Sequence, residues 1–276
     1  MLFRKIMLSV LFLAGMGGMS ACKKSSEETP RMDVSIQQTG LGDVLVDKQG
    51  KTLYLFAKDV AGPSTCTGGC LTAWPAFYQE NPTLGNGLAA ADFATITRSD
   101  GAKQTTYKGW PLYYFQGDAA SGDTKGDKVE SVWFVAKPHF SLMIGAGQLL
   151  GNDGKNYTSA YAEGTGQTIY LVDSVGHTLY AFAPDKNGKN TYTKSDFSNN
   201  ATWPLAEFSA KNVPSLVSAD DFKTITVFGR TQLTYKGWPL YYFGPDNSQR
   251  GSTKGLSVPR PGVWPIVNQN SSVAPN

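Results

Sequence analysis

Short apolar runs separated by turn-forming residues recur along the chain, and this pattern predicts β-strands. Residues 44–46 and 52–56 flank the sequence DKQG at 47–50, where Asp in the first position and Gly in the fourth suit a type I turn. Both alternating faces of 52–56 are apolar, so we predict a strand that is buried on both sides. Further strands are predicted at 95–97, 104–107, 132–135 and, after Pro111, at 112–115, with a helical turn or loop at 81–91.

Two long segments of the chain are homologous to each other. The sequence TYKGWPLYYF at 106–115 recurs without change at 234–243. The Trp-Pro pair at 74–75 likewise matches the pair at 203–204, and Trp133 matches Trp264, with offsets of 126 to 131 residues throughout. This internal similarity predicts two homologous units, which we place at residues 40–137 and 165–268.

A shorter pattern, Tyr-x-Phe-x-x-Asp, occurs twice in each unit, which indicates that a unit is a pair of related hairpins. We therefore predict an all-β fold of two tandem homologous domains, each sandwich-like or barrel-like. A single closed, propeller-like assembly of four modules is the alternative. The residues of the four copies are Tyr54, Phe56, Asp59; Tyr113, Phe115, Asp118; Tyr180, Phe182, Asp185; and Tyr241, Phe243, Asp246.

The N-terminus has the features of a bacterial lipoprotein signal. Arg4 and Lys5 precede a mostly apolar stretch that ends in small residues before Cys22, so we predict a signal peptide at 1–21 and lipidation of Cys22. Residues 22–39 are predicted to be a flexible tether. Because no Asp follows the cysteine, we expect an anchor in the outer membrane, facing the periplasm or the cell surface.

The rest of the chain divides by composition. Gly, Asn and Ser accumulate between the two units, so 138–164 is predicted to be a linker, and 269–276 a disordered tail. The 25 basic and 22 acidic side chains leave a formal net charge of only +3, which argues against binding to nucleic acid. We therefore expect partners at the membrane, through the lipid, and an envelope protein or a glycan.

Cys66 and Cys70 are the two cysteines that remain after lipidation. In an oxidising compartment they are predicted to form a disulfide, because the glycines between them allow a tight turn. At the Trp-Pro offset they fall opposite Ser195 and Asn199, so both cysteines are lost together in the second unit. A redox-active pair stays open as an alternative, but two cysteines are too few for a zinc site.

Two interpretations of the motif residues stand side by side. The aromatic rings are expected in the core, or as a stacking platform for a ligand. The four aspartates are expected to cap turns, or to form a ligand site where the copies converge. The stretch 185–196 spaces oxygen ligands somewhat like a calcium loop but has Asn190 where glycine is required, and a second acidic loop at 118–127 is expected to be solvated.

The combined motifs resemble those of the secreted-repeat lipoproteins of unknown function, which are named for a Tyr-x-aromatic-x-x-Asp motif. The matching features are GKTLYLFAKD at 50–59, STCTGGC at 64–70, the Trp-Pro pair at 74–75 and YKGWPLYYF at 107–115. The second unit departs by lacking both cysteines. The resemblance implies a location in the bacterial envelope and supplies no activity.

No catalytic motif occurs in the chain, and the two units share no His or Cys. We therefore expect a non-catalytic binding or interaction module without cofactor or metal, whose recognition surface is formed by the loops that follow the motif strands. An accessory protein in envelope redox or metal handling, acting through Cys66 and Cys70, is the alternative, and an enzyme of unrecognised type is another.

Overall fold

Short antiparallel strands dominate the structure, a computed structural model that describes residues 31–276. The strands are β1 Val34–Thr39, β2 Gly42–Asp47, β3 Tyr54–Phe56, β4 Phe93–Thr97, β5 Lys103–Tyr107, β6 Trp110–Pro111, β7 Trp133–Val135, β8 Leu142–Leu150, β9 Asn156–Tyr157, β10 Gln167–Asp173, β11 Tyr180–Ala181, β12 Phe222–Val227, β13 Arg230–Tyr235 and β14 Trp238–Tyr241. One α-helical turn, α1, spans Cys70–Ala73, and 3-10 turns lie at Ala57–Ala61, Ala90–Asp92, Val129–Ser131, Ala219–Asp221, Gly244–Asp246 and Lys254–Ser257. The predicted signal peptide, Cys22 and the predicted tether as far as residue 30 lie outside the described residues. The prediction of a flexible tether up to residue 39 is wrong at its end, because Val34–Thr39 form β1, which pairs with β2 along six residues.

The strands form five small antiparallel sheets, in the orders β1-β2, β3-β7, β4-β5-β6, β10-β8-β9 and β11-β14-β13-β12. Corresponding sheets have the same register, because Tyr107 pairs with Trp110 in the first unit as Tyr235 pairs with Trp238 in the second. The prediction of an all-β fold built from repeated modules is therefore confirmed. Across residues 31–276 the sheets do not close into a barrel, and they have two to four strands each rather than four equal blades.

The first hairpin follows the sequence pattern closely. Strand β2 ends at Asp47, whose carbonyl accepts a hydrogen bond from the Gly50 N–H at 2.9 Å, and its carboxylate accepts the N–H groups of Gln49 and Lys51. The next strand, β3, is buried on both faces as predicted. The strand predicted at 112–115 is different: regular pairing ends at Pro111, and Tyr113 forms only single bridges, to Tyr54 and to Ala76.

The segment 138–164 was predicted as a linker, and this is wrong for its first part. It contains β8, which pairs with β10 along seven residues and begins the second unit's own hairpin. The glycine content predicted a linker, but Gly145 lies within strand β8. Gly145 is required for close packing, because a Cβ there would lie 3.0 Å from Val60 Cγ2 and from Tyr170 Cε2.

The predicted disordered tail is also wrong, because the last residues are bound to the fold. Ala274 N–H donates to the Lys236 carbonyl at 2.9 Å, and Asn187 N–H donates to the Pro275 carbonyl at 2.8 Å. The Trp238 indole N–H donates to the Ser272 carbonyl at 2.8 Å. Hydrogen bonds of this kind fix a chain end that composition alone would leave free.

Residues 32–276 form one compact unit, in which we call 32–137 the first half and 138–276 the second half. Arg250 joins them: its guanidinium donates to the carbonyls of Val60 and Lys108 in the first half and of Val175 in the second. It also lies 4.8 Å from the centre of the Trp110 ring. The two homologous units therefore pack against each other through buried polar and aromatic contacts.

Candidate functional site

The four motif copies form two pairs, and within each pair the tyrosine of one copy is hydrogen-bonded to the aspartate of the other. In the first half the Tyr54 hydroxyl donates to Asp118 Oδ2 at 2.6 Å, and the Tyr113 hydroxyl donates to Asp59 Oδ2 at 2.6 Å. The backbones of the two tyrosines also bond to each other, with N···O distances of 2.8 and 3.0 Å. Each copy thus needs the other copy of its half to satisfy its buried polar groups.

The second half has the same reciprocal hydrogen bonds between tyrosine and aspartate. The Tyr180 hydroxyl donates to Asp246 Oδ2 and the Tyr241 hydroxyl to Asp185 Oδ2, each at 2.7 Å. Tyr180 and Tyr241 are paired residues of β11 and β14. Because the sequence motif is read locally, it could not show that partners lie more than fifty residues apart.

The second oxygen of each aspartate fixes a turn, as the capping interpretation predicted. Asp59 Oδ1 accepts both the N–H and the hydroxyl of Thr65, at 2.7 and 2.6 Å, and Asp185 Oδ1 accepts the same two groups of Thr191, both at 2.7 Å. Asp59 and Asp185 have no exposed surface. A surface ligand therefore cannot reach them in the folded protein, and their position does not support the alternative prediction of a ligand site where the copies converge.

Burial governs the ionisation of these carboxylates. Removal from water raises the pKa of Asp59 to about 6, although the hydrogen bonds from Thr65 and Tyr113 act in the opposite direction. Burial likewise raises the pKa of Asp118, Asp185 and Asp246. Buried donors hold the motif carboxylates in place. The free-energy cost of burying their negative charge falls when they are protonated.

The motif phenylalanines belong to two aromatic stacks in the core. In the first half the rings follow the order Phe56, Trp133, Trp74, Phe115, with centroid separations of 3.9, 3.8 and 4.4 Å. The second half has the same stack in the order Phe182, Trp264, Trp203, Phe243, with separations of 4.4, 3.6 and 4.6 Å. Both central tryptophan pairs are buried, so these rings stabilise the core and offer no open platform.

The predicted disulfide between Cys66 and Cys70 is present, with a Cα–Cα distance of 5.4 Å. It lies next to a buried arginine that is found in the first half alone. Arg98 Nη2 donates to the Cys66 carbonyl at 2.6 Å, and Nη1 donates to Gln104 Oε1 at 2.7 Å and to the Ser64 hydroxyl. The disulfide and Arg98 together fix the loop that follows Asp59.

The second half replaces the disulfide by a hydrogen bond. Asn199 Nδ2 donates to the Tyr192 carbonyl at 2.7 Å. Because Thr191 has the role of Thr65, Cys66 corresponds to Tyr192, and the predicted match to Ser195 is wrong by three residues. Asn199 corresponds to Cys70 as predicted.

The acidic loops do not form cation sites. Among residues 31–276 no group of three His, Cys, Asp or Glu side chains could hold a metal ion. In the calcium-like stretch, Asp185 is bound to Thr191 and Tyr241, and Asn190 Oδ1 accepts the backbone N–H of Thr193. The 118–127 loop is not merely solvated, because Asp127 accepts the Val135 N–H at 3.1 Å and the Ser215 hydroxyl across the two halves.

A large cavity lies in the second half and contains none of the predicted site residues. Its volume is about 520 Å³, and it opens to the surface beside exposed residues such as Gln167 and Asn270. Its lining contains no charged side chain. The lining residues are Ser159, Tyr161, Gln167, Thr168, Ile169, Ala181, Trp238, Pro265, Ile266, Val267, Asn268, Gln269, Asn270, Ser271 and Ser272.

Two polar atoms in the lining residues have no hydrogen-bond partner. Across residues 31–276, three buried side-chain polar atoms lack one, and two of them are Thr168 Oγ1 and Gln269 Oε1. Thr168 is 5 % exposed. A buried hydroxyl without a partner costs free energy unless a bound group or water supplies one.

The equivalent place beside the first half is filled. The space next to Leu55, Val135 and Lys137 measures only about 10 Å³, because Phe140 and other residues of the second half close it. Leu55, Val135, Lys137 and Phe140 correspond to Ala181, Ile266, Asn268 and Ser271 of the large cavity. Leu55 and Phe140 fill volume that Ala181 and Ser271 leave empty. The sequence signal for this site is the difference between YLF at 54–56 and YAF at 180–182.

These features define a class of all-β repeat protein, in which motif copies are joined in reciprocal pairs and one half carries an open, uncharged cavity. The family model for a secreted repeat of unknown function matches three segments of the chain, residues 35–77, 94–137 and 225–268. The predicted family is confirmed, but the predicted count of two repeats becomes three matched segments because the family's repeat is about half of one unit. The unmatched stretch before 225 contains Tyr180 and Asp185, which are paired as in the other copies.

No curated protein and no solved structure matches the chain. The family's description as a secreted repeat agrees with the export signal predicted at 1–21. Within residues 31–276 no helix has the length and apolar character needed to cross a membrane.

Proposed function

We propose that this chain is a non-catalytic binding protein of the bacterial cell envelope, which holds its ligand in the cavity of the second half. The observation that carries the proposal is the difference between equivalent places: about 10 Å³ beside the first half and about 520 Å³ in the second. Pockets of several hundred Å³ are the usual size for binding a small ligand. The polar side chains of the lining, such as Thr168, Asn268 and Gln269, support a role in binding.

The anchor is part of this proposal. Lipidation at Cys22 would hold the chain at the outer membrane, facing the periplasm or the cell surface. Labelling cells with a clickable palmitate analogue should mark the wild-type chain and leave Cys22→Ala unmarked. A soluble, unmarked wild-type chain would remove the anchor and leave the cavity untouched.

The cavity is tested with the full chain, in detergent micelles that lack sugar head groups, by NMR of the tryptophan indoles. A library of neutral and charged fragments is added at millimolar concentration. We expect some fragments to shift the indole signal of Trp238, which lines the cavity, and to leave that of Trp110 unchanged. Trp110 is the matched control because it is fully buried beneath Arg250.

The decisive variant is Ala181→Leu, which introduces the first-half residue into the second-half cavity. It should abolish the fragment-induced shifts while the fold persists, since Leu55 already occupies the equivalent position. Shifts that persist unchanged in this variant, or a complete absence of binding fragments, would contradict the proposed function.

A further inference from the structure

We propose that the ligand of the second-half cavity is a neutral carbohydrate; this inference rests on the proposed function and specifies its ligand. The first step concerns charge. The cavity contains no charged side chain, so an ionic ligand would lose its hydration without gaining an opposite charge. Phosphorylated, carboxylated and cationic ligands are therefore disfavoured.

The second step concerns hydrogen bonding. Nine of the fifteen lining residues carry a side-chain amide or hydroxyl, a high share for a small-molecule pocket, which is usually mostly apolar. Amides and hydroxyls provide both donors and acceptors, as the hydroxyl groups of a sugar do. Thr168 Oγ1 and Gln269 Oε1, which belong to this polar set, have no hydrogen-bond partner within the protein.

The third step concerns the two aromatic side chains of the lining. Trp238 and Tyr161 are both partly exposed, and each is fixed at its polar tip. The Trp238 indole N–H donates to the Ser272 carbonyl at 2.8 Å, and the Tyr161 hydroxyl donates to the Ile266 carbonyl at 3.2 Å. With these polar groups already bonded, the rings offer apolar area at low entropic cost, which suits the C–H faces of a sugar ring.

The first half provides the contrast. Trp110, the counterpart of Trp238, is fully buried and covered by the Arg250 guanidinium. Asn268 and Ser271 of the cavity correspond to Lys137 and Phe140 in the filled place. The cavity thus has an accessible ring and neutral polar groups, whereas the filled place beside the first half has the charged Lys137 and is plugged by Phe140.

The test is isothermal titration of the full chain with maltohexaose, cellohexaose, xylohexaose and N-acetylchitohexaose, with hexagalacturonate as the charged comparison. We expect at least one neutral oligosaccharide to bind with a Kd below about 1 mM, and hexagalacturonate to bind at least about tenfold more weakly. Trp238→Ala should weaken binding by about tenfold or more. Phe228→Ala, which removes an exposed ring outside the cavity, is the matched control and should leave binding unchanged.

Thr168→Val separates a ligand contact from a structural one. If the hydroxyl serves the ligand, the valine variant binds about tenfold more weakly while its unfolding temperature is unchanged or raised. A lowered unfolding temperature with unchanged binding would contradict this role.

The oligosaccharides are tested up to about 10 mM, a concentration at which even weak binding is detected. If fragments bind the cavity and none of the neutral oligosaccharides does, the carbohydrate assignment is overturned and the proposed function stands. If nothing binds, both fail.

Discussion

The two halves of the molecule share one frame and differ in what surrounds it. Both have the reciprocal Tyr–Asp pairs and the four-ring stack, with nearly the same distances. Around this frame the first half has a disulfide and a buried Arg98, whereas the second has a hydrogen bond and, at the position of Arg98, Val227. The place beside Leu55 is filled, whereas the place beside Ala181 is an open cavity. The features present in both halves build the fold, and the features present in one are where a specific function is to be sought.

The largest expected effect comes from making the first half resemble the second. Leu55→Ala removes a side chain that is 1 % exposed and should lower the free energy of unfolding by about 2–5 kcal/mol, since it leaves a void in a packed place. Urea denaturation measures this change. The reverse variant, Ala181→Leu, should change stability by less than about 1.5 kcal/mol because its space already exists. Equal costs for the two variants would show that the two places do not differ in packing.

A smaller effect is expected from the ionisation of Asp59. Its pKa in the folded protein is about 6, above the ordinary 3.8, so the folded state binds a proton more readily than the unfolded state. The stability that protonation contributes is present below pH 3.8 and is lost as the pH rises through 6. A difference of about two pKa units corresponds to about 3 kcal/mol.

Asp59→Asn should remove this part of the pH dependence. Unfolding free energies measured from pH 4 to pH 7 should fall less steeply in the variant than in the wild type. Asp185→Asn is the second-half comparison and should act in the same direction, since burial raises that pKa too. Parallel pH profiles for Asp59→Asn and the wild type would rule out a buried, destabilised carboxylate at this position.

The repeat made the frame predictable, because identical sequences in two places must have the same structure. The β-strands, the turn at 47–50 and the disulfide follow from local patterns of a few residues. The Tyr–Asp partners could not be found this way, since Tyr54 and Asp118 meet only after the chain has folded. Gly145 was misread because its role is to permit contact with Val60, a residue distant in sequence.

The cavity escaped prediction for another reason. A cavity forms where side chains are small. Its only sign in the sequence is that Ala181 stands where the corresponding motif copy has Leu55. Aromatic and acidic motif residues suggested a binding surface, yet the tyrosines and aspartates are buried, and Phe115 and Phe182 are partly buried against the core. In a repeat protein, a position that departs from the repeat can therefore be more informative about function than the repeated positions.

The smallest expected effect concerns the disulfide, and it separates the two functional hypotheses. Reduction of Cys66–Cys70 opens a loop of five residues and should lower the free energy of unfolding by about 2 kcal/mol. Asn199→Ala breaks the corresponding hydrogen bond of the second half and should cost about 1 kcal/mol. Denaturation with and without a phosphine reductant measures the first change, and thiol titration confirms the reduction.

Ligand binding in the second-half cavity should be the same in both redox states, because neither cysteine lines it. Binding that depends on the redox state would instead favour a function based on the cysteine pair.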